Sequence, residues 1–282
     1  MNYTKSFLIR SMVAVAALGS FTACEDLSLC GLTEEDLSMG DAFVETTSYF
    51  MNVVGRTDEA MRNENLQVNG STTIDGATVT RTNDSITIDF GSNNVVTNDG
   101  KTRRGVIRGY ISGDYFQANG SINLSLENYH VNDSLIAGSI SLVNNGNNGG
   151  QDPWDINLSS TNFSIGNQYD YSANLTMQWE AGYETIDSTA DDRFKIFGTA
   201  NGDDNIQLIS FATSFPSPMV FDRSCTYLVT EGSVDVSLTS GEAEVASVNV
   251  DFLDSDGCNN VLMLNASCDG TNISFPQNFD GF

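Results

Sequence analysis

The chain is predicted to be mainly β, with antiparallel sandwich or barrel-like sheets preceded by one N-terminal helix. Three observations carry this expectation. From Leu66 onward, short runs alternate apolar and polar residues, the period of a strand with one buried face. Asn-Gly, Asp-Gly and Asn-rich steps separate the runs, and these residues accept the positive φ of tight hairpin turns. No helical period of useful length interrupts the runs and only four prolines occur, so a parallel α/β sheet with crossover helices is not expected.

At the start of the chain, Lys5 and Arg10 supply a positive front, and residues 11–23 carry no charge and are mostly apolar, as in a secretory signal. The uncharged run is too short for a membrane-crossing helix, which takes about 20 apolar residues. Residues 1–23 are therefore expected to be removed. The segment F-T-A-C, ending at Cys24, resembles the lipobox of bacterial lipoproteins, with Phe21 where Leu is usual. Phe21 also argues against an ordinary cut before Cys24, which wants a small side chain three places upstream. A competing ordinary site follows A-L-G at residues 17–19 and would release a soluble chain. On the lipobox reading, acyl chains on Cys24 join the protein to a membrane, each buried methylene contributing about 0.8 kcal/mol.

Formal charge is −25, and Lys5 and Arg10 would leave with the signal, making the mature chain more acidic still. Charged residues are 17% of the chain, so the imbalance reflects scarce Lys and Arg rather than an acidic tail. Such a field repels nucleic acid, whose binding needs cations against phosphates; no nucleic-acid partner is expected. Five cations, Arg81, Lys101, Arg103, Arg104 and Arg108, fall close together. They suggest either an anion or sugar-acid site or, the favoured reading, a hairpin whose Arg103, Arg104 and Arg108 pair with neighbouring carboxylates.

Residues 24–64 read as a tether and one helix, because Phe43, Tyr49, Phe50, Val53 and Val54 recur near a helical repeat. Ser38 or Asp41 would cap its start, and Gly55 or the run after Met61 would end it. Residues 65–282 form the β region. Clear one-faced runs are Ile86, Ile88 and Phe90; Ile122, Leu124 and Leu126; Ile136, Ile140 and Leu142; Tyr171 to Trp179 at alternate positions; and Val248, Val250 and Phe252. Turns are expected at Asp75-Gly76, Asp99-Gly100, Asn119-Gly120, Asn201-Gly202, Asp256-Gly257 and Asp269-Gly270, among others. The run from Asn144 to Gly150 divides the region into two candidate halves, 65–150 and 151–282, as a linker or a long hairpin loop. S-I-T-I-D-F at 85–90 echoes S-V-N-V-D-F at 247–252.

The order T-I-D-F-G, N-D-G-K-T-R-R-G-V-I, L-E-N-Y-H-V-N, W-E-A-G-Y-E-T, D-D-R-F-K-I-F-G-T-A-N-G, C-T-Y-L-V-T-E-G and D-G-C-N-N resembles a family of Bacteroidota (Flavobacteria-like) lipoproteins with a repeated β-rich body. The resemblance covers roughly residues 85–275 and brings no activity with it. It implies a cell with an outer membrane, so Cys24 is expected there, on the periplasmic or the outer face. Glu25 and Asp26 are a minimal version of that phylum's surface-export signal. The resemblance also implies O-glycosylation at D-S-I, D-S-L and D-S-T, on Ser85, Ser134 and Ser188. Spacing alone leaves three full pairings open for Cys30, Cys225, Cys258 and Cys268. The resemblance implies Cys225 with Cys258.

No C-x-x-C occurs and His130 is the sole histidine, so structural zinc and a cofactor are not expected. D-S-D-G at 254–257 and N-G-D-D-N at 201–205 offer oxygen ligands for calcium but complete no EF-hand loop, and read better as turns. His130 is the only imidazole available for nucleophilic catalysis, and G-x-S-x-G is absent. Trp154, Trp179, Tyr169, Tyr171 and Tyr183 could stack on sugars, with Trp179 expected in the core and Trp154 exposed. The expected function is a non-catalytic binding or structural component of the envelope, with carbohydrate or another envelope protein as partner. The alternative is a carbohydrate-acting enzyme using paired carboxylates, which would need shifted acids in a deep cleft.

Overall fold

Glu34, Glu35 and Asp36 open a long helix, α1 (Glu34–Arg62), in a computed structural model that describes residues 34–66, 70–147, 154–186, 188–225, 229–241, 243–253, 258, 260–268 and 271–279. The helix starts before Ser38 and Asp41, the two residues expected to cap it. It runs through Gly55 rather than ending there. Val53, Val54, Thr57 and Asp58 are buried around that glycine, and their packing outweighs a glycine penalty of about 1 kcal/mol. The end comes at Arg62, where Arg81 Nη1 donates to the Met61 carbonyl at 2.9 Å and satisfies one of the acceptors the helix end leaves free.

α1 is a core helix, buried on most sides. Its polar residues are satisfied locally or by the sheet. Thr46 and Thr57 donate to carbonyls four residues back, at 2.7 and 2.9 Å. The Thr47 hydroxyl meets the Tyr171 hydroxyl at 3.0 Å. Phe50 lies 5.7 Å from the rings of both Phe163 and Tyr171, and Phe43 packs edge-on to Phe211 and Phe215.

Among the described residues, fifteen strands form one antiparallel sheet that packs on the helix. They are β1 (Ser71–Ile74), β2 (Ala77–Arg81), β3 (Ser85–Asp89), β4 (Val95–Val96), β5 (Thr102–Ser112), β6 (Ser121–Val131), β7 (Ser134–Asn147), β8 (Trp154–Ile165), β9 (Tyr169–Ala181), β10 (Arg193–Asp204), β11 (Ile209–Asp222), β12 (Val229–Ser240), β13 (Ala243–Asp251), β14 (Val261–Cys268) and β15 (Thr271–Asn278). Each pairs with the next in sequence, except that β3 pairs with β5 and β4 flanks β5. The expected antiparallel β fold with one N-terminal helix is therefore present. In place of two packed sheets, one sheet packs on α1, which touches β3, β9, β12 and β13. So many strands cannot stay flat, and curling about a helix buries one face of all of them.

Bulges supply the bend. Register shifts interrupt β5–β6, β6–β7, β7–β8, β8–β9, β10–β11 and β11–β12 in mid-strand. Two of them repeat: I-N-L-S at 122–125 and again at 156–159 is followed by Asn128 and Asn162, both at positive φ, facing Gly105 and Gly138. At Gly138, φ is +108° and a Cβ would sit 2.4 Å from the Asn162 carbonyl oxygen. Gly138→Ala is expected to cost about 2 kcal/mol or more, and Gly91→Ala, at φ +77° with open space, about 1 kcal/mol. Urea denaturation of both variants is the check. Equal losses would mean that the approach of β8 is not what selects glycine.

The run after Asn144 is spanned by a hairpin: β7 pairs with β8 as far as Asn147 opposite Trp154, so both candidate halves share one sheet. Asn201-Gly202 is not a turn but lies inside β10, and the chain reverses at 205–208. Glycine is needed there because a Cβ would fall 2.5 Å from the Asp170 carbonyl oxygen and 2.7 Å from the Phe211 ring. Asp75-Gly76 does turn at positive φ, and Asn132-Asp133 forms a further such turn. Asp256-Gly257 and Asp269-Gly270 lie outside the described residues. The echo between 85–90 and 247–252 extends to local geometry. Asp89 and Asp251 each accept the amide two residues on, at 2.7 and 3.0 Å. Phe90 and Phe252 each donate to a bulge glycine carbonyl, that of Gly105 and of Gly232.

Candidate functional site

Between α1 and the sheet lies a cavity of about 430 Å³. Met51 and Val54 from α1 and Met177, Phe194, Ile196 and Phe221 from β9, β10 and β11 line it, and all six are buried. Strand alternation brings the sheet residues to one face, and the helical repeat places the α1 residues opposite. The rim is polar. Asn52, Arg56 and Glu59 come from α1, Asp99 from the β4–β5 turn, Thr189 and Ala190 from the β9–β10 loop, and Arg223 from the chain after β11.

Asp58 forms part of the wall and belongs to a buried charge network. Arg62, only 2% exposed, holds Asp58 Oδ2 by Nε at 3.0 Å and Asp192 Oδ2 by Nη1 at 2.8 Å. Its guanidinium carbon lies 4.2 Å from the centre of the Trp179 ring. Trp179 Nε1 donates to Asp192 at 3.0 Å, and the Tyr115 hydroxyl donates to Asp58 at 3.0 Å. Burial pushes the Asp192 carboxyl up to about 6, against the pull of Arg62. Burial, with the charge of Asp58 added, holds the Tyr115 hydroxyl neutral well above its ordinary range.

A second network fixes the other side of the cavity. Buried Arg103 donates to both oxygens of Asp99, at 2.8 and 2.6 Å, and to Asn52 at 2.7 Å. Burial alone would raise the Asp99 carboxyl, but the bonds from Arg103 and Thr97 and the charges of Arg103 and Arg56 hold it far below its usual range. Arg56 contacts Asp75 at 2.6 Å, Asp99 at 3.2 Å and Glu59 at 3.4 Å. These bonds tie α1 to the β1–β2 and β4–β5 turns.

The basic cluster pairs with carboxylates: Arg103 with Asp99, Arg104 with Asp133, and Arg108 with Glu127 at 2.6 Å. The last two pairs are exposed, where such contacts contribute about 0–1 kcal/mol. Cys225 and Cys258 are joined by a disulfide with Cα atoms 5.1 Å apart, fastening the segment after β11 to the segment before β14. Cys24, Cys30 and 254–257 lie outside the described residues, and of Cys268 only the backbone, in β14, is described. Ser188 is exposed in the β9–β10 loop. Ser85 and Ser134 are half-buried at the starts of β3 and β7.

His130 lies in β6, its Nδ1 2.7 Å from the Asn128 carbonyl oxygen. Asp204, in the N-G-D-D-N segment, spends Oδ1 on the amides of Ile206 and Gln207, as an Asp at a turn does. Among the described residues no group of three His, Cys, Asp or Glu side chains is placed to hold a metal ion. Trp179, Tyr169 and Tyr171 are core residues. Trp154, expected at the surface, is instead half-buried edge-on to Trp179, its cross-strand partner in β9, and Tyr183 packs on the same ring. Those rings are spent on one another and form no open sugar platform.

Sequence reasoning missed Asp58, Arg62, Asp192 and Arg223. A signal existed: Asp58 and Arg62 stand four apart on a helix that is otherwise core, in a chain with only 12 cations. Fold and site together define a curled, open antiparallel sheet packed on a helix, with a ligand-sized cavity between them. Comparison with known proteins returns no match to a family model, a curated protein or a solved structure.

Proposed function

We propose that this chain is a lipid-anchored envelope protein of the Bacteroidota type, held at the outer membrane through Cys24, that binds a small molecule without catalysis. The cavity carries the reading: an apolar enclosure with a few polar groups at its rim is the usual form of a small-ligand site. The lipobox at Cys24 and the acidic body support the anchored, water-facing arrangement. The alternative, a carbohydrate-acting enzyme with two carboxylates, has less support. Asp192, the carboxyl raised to about 6, is fully buried and lies outside the cavity lining. Asp99, which does line it, is held ionised and suits no general acid.

Two measurements test this. Intact mass of the purified protein is expected to show diacylglycerol on Cys24. The neutral probe N-phenyl-1-naphthylamine is expected to bind saturably, and Ala190→Trp at the cavity mouth to weaken it about tenfold, or about 1.4 kcal/mol. Absence of saturable binding, or binding indifferent to Ala190→Trp, would remove the cavity from the account.

A further inference from the structure

We infer that the cavity takes a single-chain carboxylic acid, its alkyl chain on the apolar wall and its carboxylate on Arg223. The inference rests on the cavity being a ligand site and adds which ligand it takes. Two cations stand at the rim, and they differ in how far they are engaged. Arg56 already contacts three carboxylates. Arg223, whose side chain is 21% exposed, has among the described residues one carboxylate oxygen within reach, Asp58 Oδ2 at 3.9 Å. That oxygen lies 3.0 Å from Arg62, and the other oxygen of Asp58 takes the Tyr115 hydroxyl. The fork of Arg223 therefore retains donors for a planar anion.

Arg223 lies over α1 at Gly55, where a Cβ would stand 3.4 Å from its Nη2, at ordinary contact distance. The carboxylates at the rim limit the charge of the head group. Glu59 and Asp99 face the same mouth and are partly exposed, so a head with two or more negative charges is repelled more than one with a single charge. A carboxylate carries one charge and matches the guanidinium fork. Below it the six buried apolar side chains suit methylenes, each contributing about 0.8 kcal/mol on burial.

The test is calorimetric titration of the purified full chain with dodecanoate, decanoate and dodecanol. Dodecanoate is expected to bind at least tenfold more tightly than dodecanol, and about tenfold more tightly than decanoate. Arg223→Met is expected to erase the difference between acid and alcohol, and Arg223→Lys to keep part of it. Glu59→Gln is expected to tighten dodecanoate several-fold without changing dodecanol, and it serves even if Arg223→Met does not fold. Equal affinity for acid and alcohol, or an acid preference that survives Arg223→Met, would overturn the carboxylate assignment and leave the cavity as a site for a neutral ligand. Failure of all three compounds to bind, with the naphthylamine probe also silent, would instead overturn the cavity itself.

Discussion

Replacing Arg62 with methionine is expected to remove about 3–5 kcal/mol of folding stability. Methionine keeps an unbranched apolar stem and deletes both the charge and the guanidinium that lies over Trp179. Asp58 and Asp192 would then be left buried with one side-chain hydrogen bond each among the described residues, from Tyr115 and Trp179, and with Arg223 3.9 Å from Asp58 as the nearest remaining cation. Breaking a buried pair from one side leaves an uncompensated charge, which is why the loss exceeds that of any exposed pair. Against a total of about 5–15 kcal/mol for a typical domain, the variant is close to unfolding.

The deficit is also expected to depend on pH. Asp192 titrates near 6 in the folded protein and near 4 in the unfolded chain, so between those values the folded state holds more protons. Stability contributed by this group therefore falls as pH rises through about 4 to 6. Without Arg62 the carboxyl moves higher still, so acidification from pH 7.5 to 5.5 is expected to shrink the gap between variant and wild type. Asp99 has the opposite sign, losing stability as pH falls, but it does so below this window. Urea titrations at the two pH values decide the matter. A gap that does not change with pH would mean that Asp192 is not the group left unpaired.

Phe50→Ala is expected to cost a further class of loss, about 3–5 kcal/mol, through a cavity rather than a charge. Phe50 is fully buried and wedged between Phe163 and Tyr171, which belong to neighbouring strands β8 and β9. A curled sheet cannot collapse onto the gap, because its curvature is set by bulges across many strands, so little of the loss is recovered by relaxation. Phe50→Leu, which keeps most of the volume, should lose less than half as much in thermal or urea unfolding. If the two variants were equal, the ring contacts would not be what fastens α1 to the sheet.

Much of the architecture was readable before any coordinates. Alternation at Ile86 to Phe90, at Tyr171 to Trp179 and at Val248 to Phe252 marks buried faces that the structure keeps, and Asp75-Gly76 turns as its residues demand. Asn201-Gly202 misleads because glycine serves close approach to a ring as well as turns, and nothing within the dipeptide distinguishes the two. Asn132-Asp133 was overlooked for the converse reason, a positive-φ turn made without glycine. Trp154 looked exposed beside Asp152 and Pro153, yet its cross-strand partner Trp179 covers it.

Period, turn chemistry and charge balance are properties of neighbouring residues, so strand content, antiparallel pairing, the helix before the strands and the strongly acidic surface follow from the order of amino acids. The cavity and its charges do not. Arg62 and Asp192 stand 130 residues apart, and Thr47 and Tyr171 stand 124 apart. Such partners meet only when the sheet closes on α1, because the energy of a buried ion pair depends on the distance and dielectric that closure creates.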